Sequence, residues 1–116
     1  MQAHAGDLRA EVDSELAAWG WSDGDAFVHQ FVDDWTACRL DAPTAALMRY
    51  ADKMTSELAS VGAGDVETLR EAGWSDTAIH DAAQIVAYFN YINRIADGLG
   101  VDEEPGLRQW GRRQSI

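Results

Sequence analysis

The chain has 116 residues, 47% of them hydrophobic, with twenty acidic against nine basic side chains and a formal charge of −11 at pH 7. That length supports one domain, near the lower end of the range in which a single core forms comfortably. The negative field repels phosphate backbones and anionic headgroups, which argues against nucleic acid and membrane surfaces as partners.

Leu8, Val12 and Leu16 recur at four-residue intervals, which predicts an amphipathic helix over 7–19 with Gly20 as its stop. Phe27, Val28, Phe31, Val32 and Trp35 mark a second helix, opened by Ser22 or Asp23 as N-cap and ending between residues 35 and 39. Asp41, with Pro43 in the first turn, starts a third, in which Leu47, Tyr50, Met54 and Leu58 line one face until Gly62 and Gly64 break it. A short helix over 65–72 turns Val66 and Leu69 inward and closes at Gly73. Ser75 caps the last and longest helix, which runs to about residue 97 and ends in Gly98 and Gly100. No window shows sustained two-residue alternation, so the expected fold is all-α with about five helices. They form a helical domain over 1–104, and residues 105–116 are a tail. There Pro105 and Gly106 block helix continuation, and Arg108, Arg112 and Arg113 gather beside Trp110. Such a tail either clamps a neighbouring subunit or is a partly ordered terminus.

Gly20-Trp21-Ser22-Asp23 recurs as Gly73-Trp74-Ser75-Asp76. Glycine closes one helix, tryptophan packs back on its last turn, and serine caps the next. A reused helix-to-helix corner explains the repeat better than an ancient hairpin duplication, and nothing functional rests on it.

Five tryptophans in so short a chain suggest that another subunit covers part of the apolar surface, so a homo-oligomer is expected. The first twelve residues lack a charged n-region and an apolar h-region, and no run approaches the roughly 20 apolar residues of a membrane span, so the cytoplasm is the expected compartment. Arginine outnumbers lysine heavily, Lys53 being the sole lysine. Either a saline cytoplasm or a GC-rich genome would produce that bias.

Residues 87–101, AYFNYINRIADGLGV, read as a mostly buried helix with one polar stripe. At about 100° per residue Asn90, Asn93, Arg94 and Asp97 fall in one arc, with Phe89, Ile92, Ile95, Ala96 and Leu99 on the packed side. Asparagine is a mediocre helix former, so these amides need partners. In the preferred reading Arg94 pairs with Asp97 and the amides hold helix ends or loop carbonyls within an oligomer. In the other, the stripe lines a small polar pocket.

His29, with Asp25 and Asp33 four residues to either side, has the spacing of metal ligands. No other His or Cys lies nearby to complete a shell, so a solvated acidic face is the preferred reading. His80, with Asp76 and Gln84 at the same spacing, is read as a surface or interface histidine. Cys38 is the single cysteine, which excludes an intrachain disulfide, a CxxC motif and a cysteine-based zinc site. Arg39 beside it would modestly favour a thiolate, yet a lone cysteine is more often a small hydrophobe. Neither metal nor cofactor is assigned.

The spans LMRYADKMT (47–55), DVETLREAG (65–73) and AYFNYINRIADGLGV (87–101) together resemble the C-terminal half of the peroxidase-related branch of the alkylhydroperoxidase (AhpD-like) proteins. These belong to the carboxymuconolactone decarboxylase superfamily, and the resemblance covers residues 40–104. It implies an all-helical, oligomeric fold and thiol-dependent reduction of hydroperoxides in antioxidant defence, with a thiol reductant as partner. The family motif is a Glu followed at a distance by Cys-x-x-Cys-x-x-x-His, in which one thiolate attacks the peroxide and the other resolves the sulfenic acid.

The opening residues MQAHAGDLR resemble the segment after that cysteine pair and place His4 on the motif histidine, the one retained position of the redox motif. The Glu and both cysteines are absent from the chain. An N-terminally shortened form of the domain is therefore expected, through a start assigned at an internal methionine or through a naturally shorter product, the first being preferred. Such a chain should not turn over hydroperoxide by the dithiol route. The competing expectations are a non-catalytic helical self-association module, and cysteine-independent acid-base chemistry of the lactone decarboxylase type. The latter needs His4 or His80 in a concave polar site beside Asn90 and Asn93.

Overall fold

A computed structural model describes residues 23–101 together with Ala5, Leu8, Trp21, Pro105, Gly106 and Arg108. The described residues form helices and connecting turns without a strand, so the fold is all-α. Of the helix expected over 7–19 only Leu8 is described, in helical backbone; the rest of it lies outside the described residues. The chain divides into two compact units, Met1–Leu40 with Glu103–Ile116, and Asp41–Asp102.

In the first unit, α1 spans Gly24–Asp34. Its N-cap is Asp23, whose Oδ1 accepts from the backbone nitrogens of Asp25 at 3.0 Å and Ala26 at 3.2 Å. Phe27 and Val28 are fully buried with Ala5, and Leu8, Trp21, Phe31, Val32, Cys38 and Leu40 pack around them. Trp21 meets Phe27 edge-on at 5.3 Å between ring centroids, and its Nε1 donates to the Arg39 carbonyl at 3.2 Å. The helix stops at Asp34, where a 3-10 turn, Trp35–Ala37, takes over with the Asp34 carboxylate accepting from Thr36 N. From the residues expected as a tail, Arg108 reaches the Asp25 carboxylate of α1 at 3.1 Å.

The second unit holds α2 (Ala42–Ser56), α3 (Ala63–Glu71) and α4 (Asp76–Leu99). Asp41 caps α2 by accepting from Thr44 N at 3.0 Å, with Pro43 in the first turn as its fixed φ favours. At the start of α3, Asp65 turns back so that Oδ2 accepts from Gly62 N at 2.9 Å. Gly73 closes α3 at φ +109, with Trp74 N bonded to Leu69 O and Gly73 N to Arg70 O, the paired bonds of a Schellman ending. Ser75 Oγ then accepts from Ala78 N at 3.1 Å and opens α4. The core of this unit is Ala46, Leu69 and Ile79, backed by Leu47, Tyr50, Val66, Ala72 and Trp74.

Three expectations are corrected. The repeated Gly-Trp-Ser-Asp corner is not reproduced residue for residue, because Asp23 caps α1 whereas Ser75 caps α4. Leu58 does not line α2: the backbone leaves the helix at Glu57 and enters a 3-10 turn, Leu58–Ser60, leaving Leu58 62% exposed.

The third correction concerns 87–101. Within the chain this stretch is largely exposed, with Ile92 at 40%, Ile95 at 42% and Leu99 at 76%. Core contact with α4 runs through Ile79, which packs with Ala46 of α2 and Leu69 of α3. Asn90 is on that same side, about 140–160° of helix rotation from the exposed isoleucines. At the far end of α2, Thr55 meets Asn90, and α2 ends one residue later, so α4 runs on beyond it. The polar stripe begins on the side packed within the chain, and the apolar residues face away from it.

Candidate functional site

Every candidate feature of the second unit is built on the contacts of α2, α3 and α4. Lys53, half-buried on α2, donates to Asp65 Oδ1 of α3 at 2.8 Å. That bond, reinforced by the one from Gly62 N, holds the Asp65 carboxyl below its ordinary value of 3.8. A recess of about 230 Å³ lies over this bridge, lined by Arg49, Tyr50, Lys53, Asp65 and Thr68 above Ala46 and Leu69.

On the other side of Tyr50 a second cleft of about 320 Å³ is lined by Val66, Arg70, Asp76, Ile79, His80 and Ala83. Arg70 Nε donates to Asp76 Oδ1 at 2.6 Å and Nη1 to Glu67 Oε2 at 3.1 Å, and both carboxylates push the guanidinium further toward its charged form. His80 is exposed, with Nε2 at 3.4 Å from Gln84 Nε2. The histidine does sit in a concave place, but Asn90 and Asn93 are not part of its lining.

Of the stripe, Asn90 is half-buried, and its Oδ1 lies 3.2 Å from Thr55 Oγ1. The same hydroxyl is 2.8 Å from the Ala51 carbonyl, so its one proton is shared between two acceptors. Asn93, Arg94 and Asp97 are exposed, and no ion pair joins Arg94 to Asp97 among the described residues. Asn90 therefore lies at the α2–α4 contact, while the other three lie along α4 beyond the end of α2.

Cys38 closes the 3-10 turn after α1, its backbone nitrogen bonded to Trp35 O at 3.0 Å. Burial, with the Asp34 carboxylate nearby, pushes its thiol up from 9.0 to about 11. This overturns the expectation that Arg39 favours a thiolate: the guanidinium lies over the Trp21 ring, 5.3 Å from its centroid. Asp25, beside His29 on α1, is engaged by Arg108. No group of three or more His, Cys, Asp or Glu suited to a metal occurs among the described residues. His4 lies outside them. Among them, too, no helix is long and apolar enough to cross a membrane.

The sequence patterns single out neither Thr55 nor the Lys53–Asp65 bridge. The signals were a hydroxyl at the end of an amphipathic helix, and a sole lysine twelve residues before an aspartate in the first turn of the next.

Neither a family model nor a curated protein matches the chain. A solved structure does: the crystal structure of an uncharacterized peroxidase-related protein from Silicibacter sp. TM1040 superposes with a TM-score of 0.73 and 26% sequence identity, over 91% of this chain and 50% of that one. The present chain thus spans about half the length of that protein, and the similarity points to the peroxidase-related proteins as its relatives.

Proposed function

We propose that the chain is an AhpD-like, peroxidase-related helical module that does not itself reduce hydroperoxides by the dithiol route. The observation that carries this reading is Cys38. Dithiol reduction of a hydroperoxide needs a thiolate to attack the outer oxygen, releasing the alcohol and leaving a sulfenic acid. A second thiol then condenses with that acid, expelling water and forming a disulfide. Cys38 is the sole cysteine and is held as a thiol to about pH 11, so this chain supplies neither the attacking thiolate at neutral pH nor the resolving partner.

The similar fold and the family-like spans over 40–104 support the relationship; the absent motif separates the scaffold from the chemistry. In this reading a thiol reductant is a partner of a form that carries the cysteine pair, and this chain acts by association in the cytoplasm. The test is consumption of an organic hydroperoxide in the presence of dithiothreitol. Loss of peroxide should match the protein-free rate, and any excess that disappears in Cys38→Ser would overturn the proposal.

A further inference from the structure

The recess of about 230 Å³ over the Lys53–Asp65 bridge joins an apolar floor to a cationic rim. Ala46 and Leu69, 7% and 1% exposed, form the floor. Of the four basic side chains between residues 41 and 102, two line this one recess. Arg49 and Lys53 stand four apart on α2, so one helix face presents both.

The two cations differ in what holds them. Lys53 is matched by Asp65, whose Oδ1 takes the ammonium at 2.8 Å while Oδ2 takes the Gly62 amide at 2.9 Å. Arg49 is not matched. It makes no ion pair or hydrogen bond among the described residues, although Asp52 stands at the three-residue spacing that would allow one. Arg70 of α3, by contrast, is engaged by two carboxylates. The recess therefore carries one net positive charge in a chain of −11, on a planar fork of five N–H donors that fits a carboxylate.

We propose that this recess binds a small organic monocarboxylate, its oxygens on the Arg49 guanidinium and its hydrocarbon stem on Ala46 and Leu69. Size sets the limit. At about 30 Å³ for each water-sized group, 230 Å³ holds about eight non-hydrogen atoms, a carboxylate with a stem of up to roughly five carbons. The floor sets the class, because each stem carbon it covers adds to affinity, whereas inorganic phosphate brings charge alone. Asp65, the one carboxylate lining the recess, has both oxygens engaged, so the ligand is held without a free carboxylate base to act on it.

The experiment is a two-dimensional amide NMR titration of the full chain at neutral pH with sodium butanoate, against sodium chloride at equal ionic strength. Its readout is independent of peroxide consumption. Butanoate should give saturable shifts centred on the amides of 46–53 and 65–69, with the weak, roughly millimolar affinity of so small a ligand. Acetate, with less stem to cover, should bind more weakly. Arg49→Gln should weaken butanoate binding by about tenfold to a hundredfold, with an unchanged helical circular dichroism spectrum. Arg94→Gln, which removes the same charge from an exposed position of α4, should leave the titration as it was. Shifts that never saturate, that chloride reproduces, or that are indifferent to Arg49→Gln overturn the proposal. Phosphate or acetate binding as tightly as butanoate overturns it as well, since the floor would then play no part.

Discussion

The indole Nε1 of Trp74 donates to the carbonyl oxygen of Pro43 at 2.8 Å, across 31 residues of sequence. One side chain in the turn between α3 and α4 thereby fastens both to the first turn of α2. Trp74→Phe keeps an aromatic ring there but leaves the carbonyl without this donor, and should cost about 1 kcal/mol. Urea unfolding followed by circular dichroism measures it; an unchanged midpoint would show that water replaces the indole at no cost.

The glycine before it is required by conformation rather than by space. Gly73 sits at φ +109, yet a Cβ built there meets nothing within 4 Å. Gly73→Ala should therefore destabilise by about 1–2 kcal/mol, all of it backbone strain. Gly64, inside α3 and equally uncrowded, does not have a positive φ. Gly64→Ala should stabilise by about 0.5–1 kcal/mol, because alanine lowers the entropy of the unfolded chain. Opposite signs in thermal melts of the two variants are the expected result.

The Lys53–Asp65 bridge makes stability depend on acid. Asp65 titrates below 3.8 in the folded chain, so the folded state binds this proton less readily than the unfolded one. Its contribution is complete above the ordinary carboxylate value and disappears as the pH falls through the depressed one. Asp65→Asn should lower the urea midpoint at neutral pH, and the gap to wild type should close as the pH is taken below 3.8. A gap that persists in strong acid would assign the effect to packing instead.

Helix existence was legible because each start and stop has a local cause. Asp41, Ser75 and Gly73 act within one turn of their own positions, and the structure finds all three in their expected roles. The facing of α4 was not legible from its own sequence. Its 3.6-residue periodicity supports two stripes, one of Ile79, Val86 and Asn90 and one of Ile85, Ile92 and Ile95, and hydrophobicity alone favours burying the second. Which stripe the chain covers depends on where α2 runs and stops. Ile79 meets Ala46 and Asn90 meets Thr55, and no local signal in 87–101 encodes that register. The raised thiol of Cys38 was hidden for the same reason, since the neighbour in sequence, Arg39, turns to Trp21, and burial first and the charge of Asp34 second act on the sulfur instead.

That thiol provides the sharpest test at the proposed non-catalytic site. Burial first and Asp34 second raise Cys38 to about 11, so the folded state holds this proton more tightly than the unfolded chain, where the ordinary value is 9.0. Whatever stability the protonated thiol contributes is complete below 9.0 and is lost as the pH rises toward 11. Because the thiolate is the reacting species, Cys38 should react slowly with a disulfide reagent such as Ellman's at neutral pH, with a rate that climbs until about pH 11. Unfolding in urea should bring the same titration down to about 9.0. Asp34→Asn removes the nearby negative charge and should shift the folded curve partway down, leaving the part due to burial. A folded-state midpoint at or below 9.0 would restore Cys38 as a candidate nucleophile and remove the main support for a chain without peroxide chemistry.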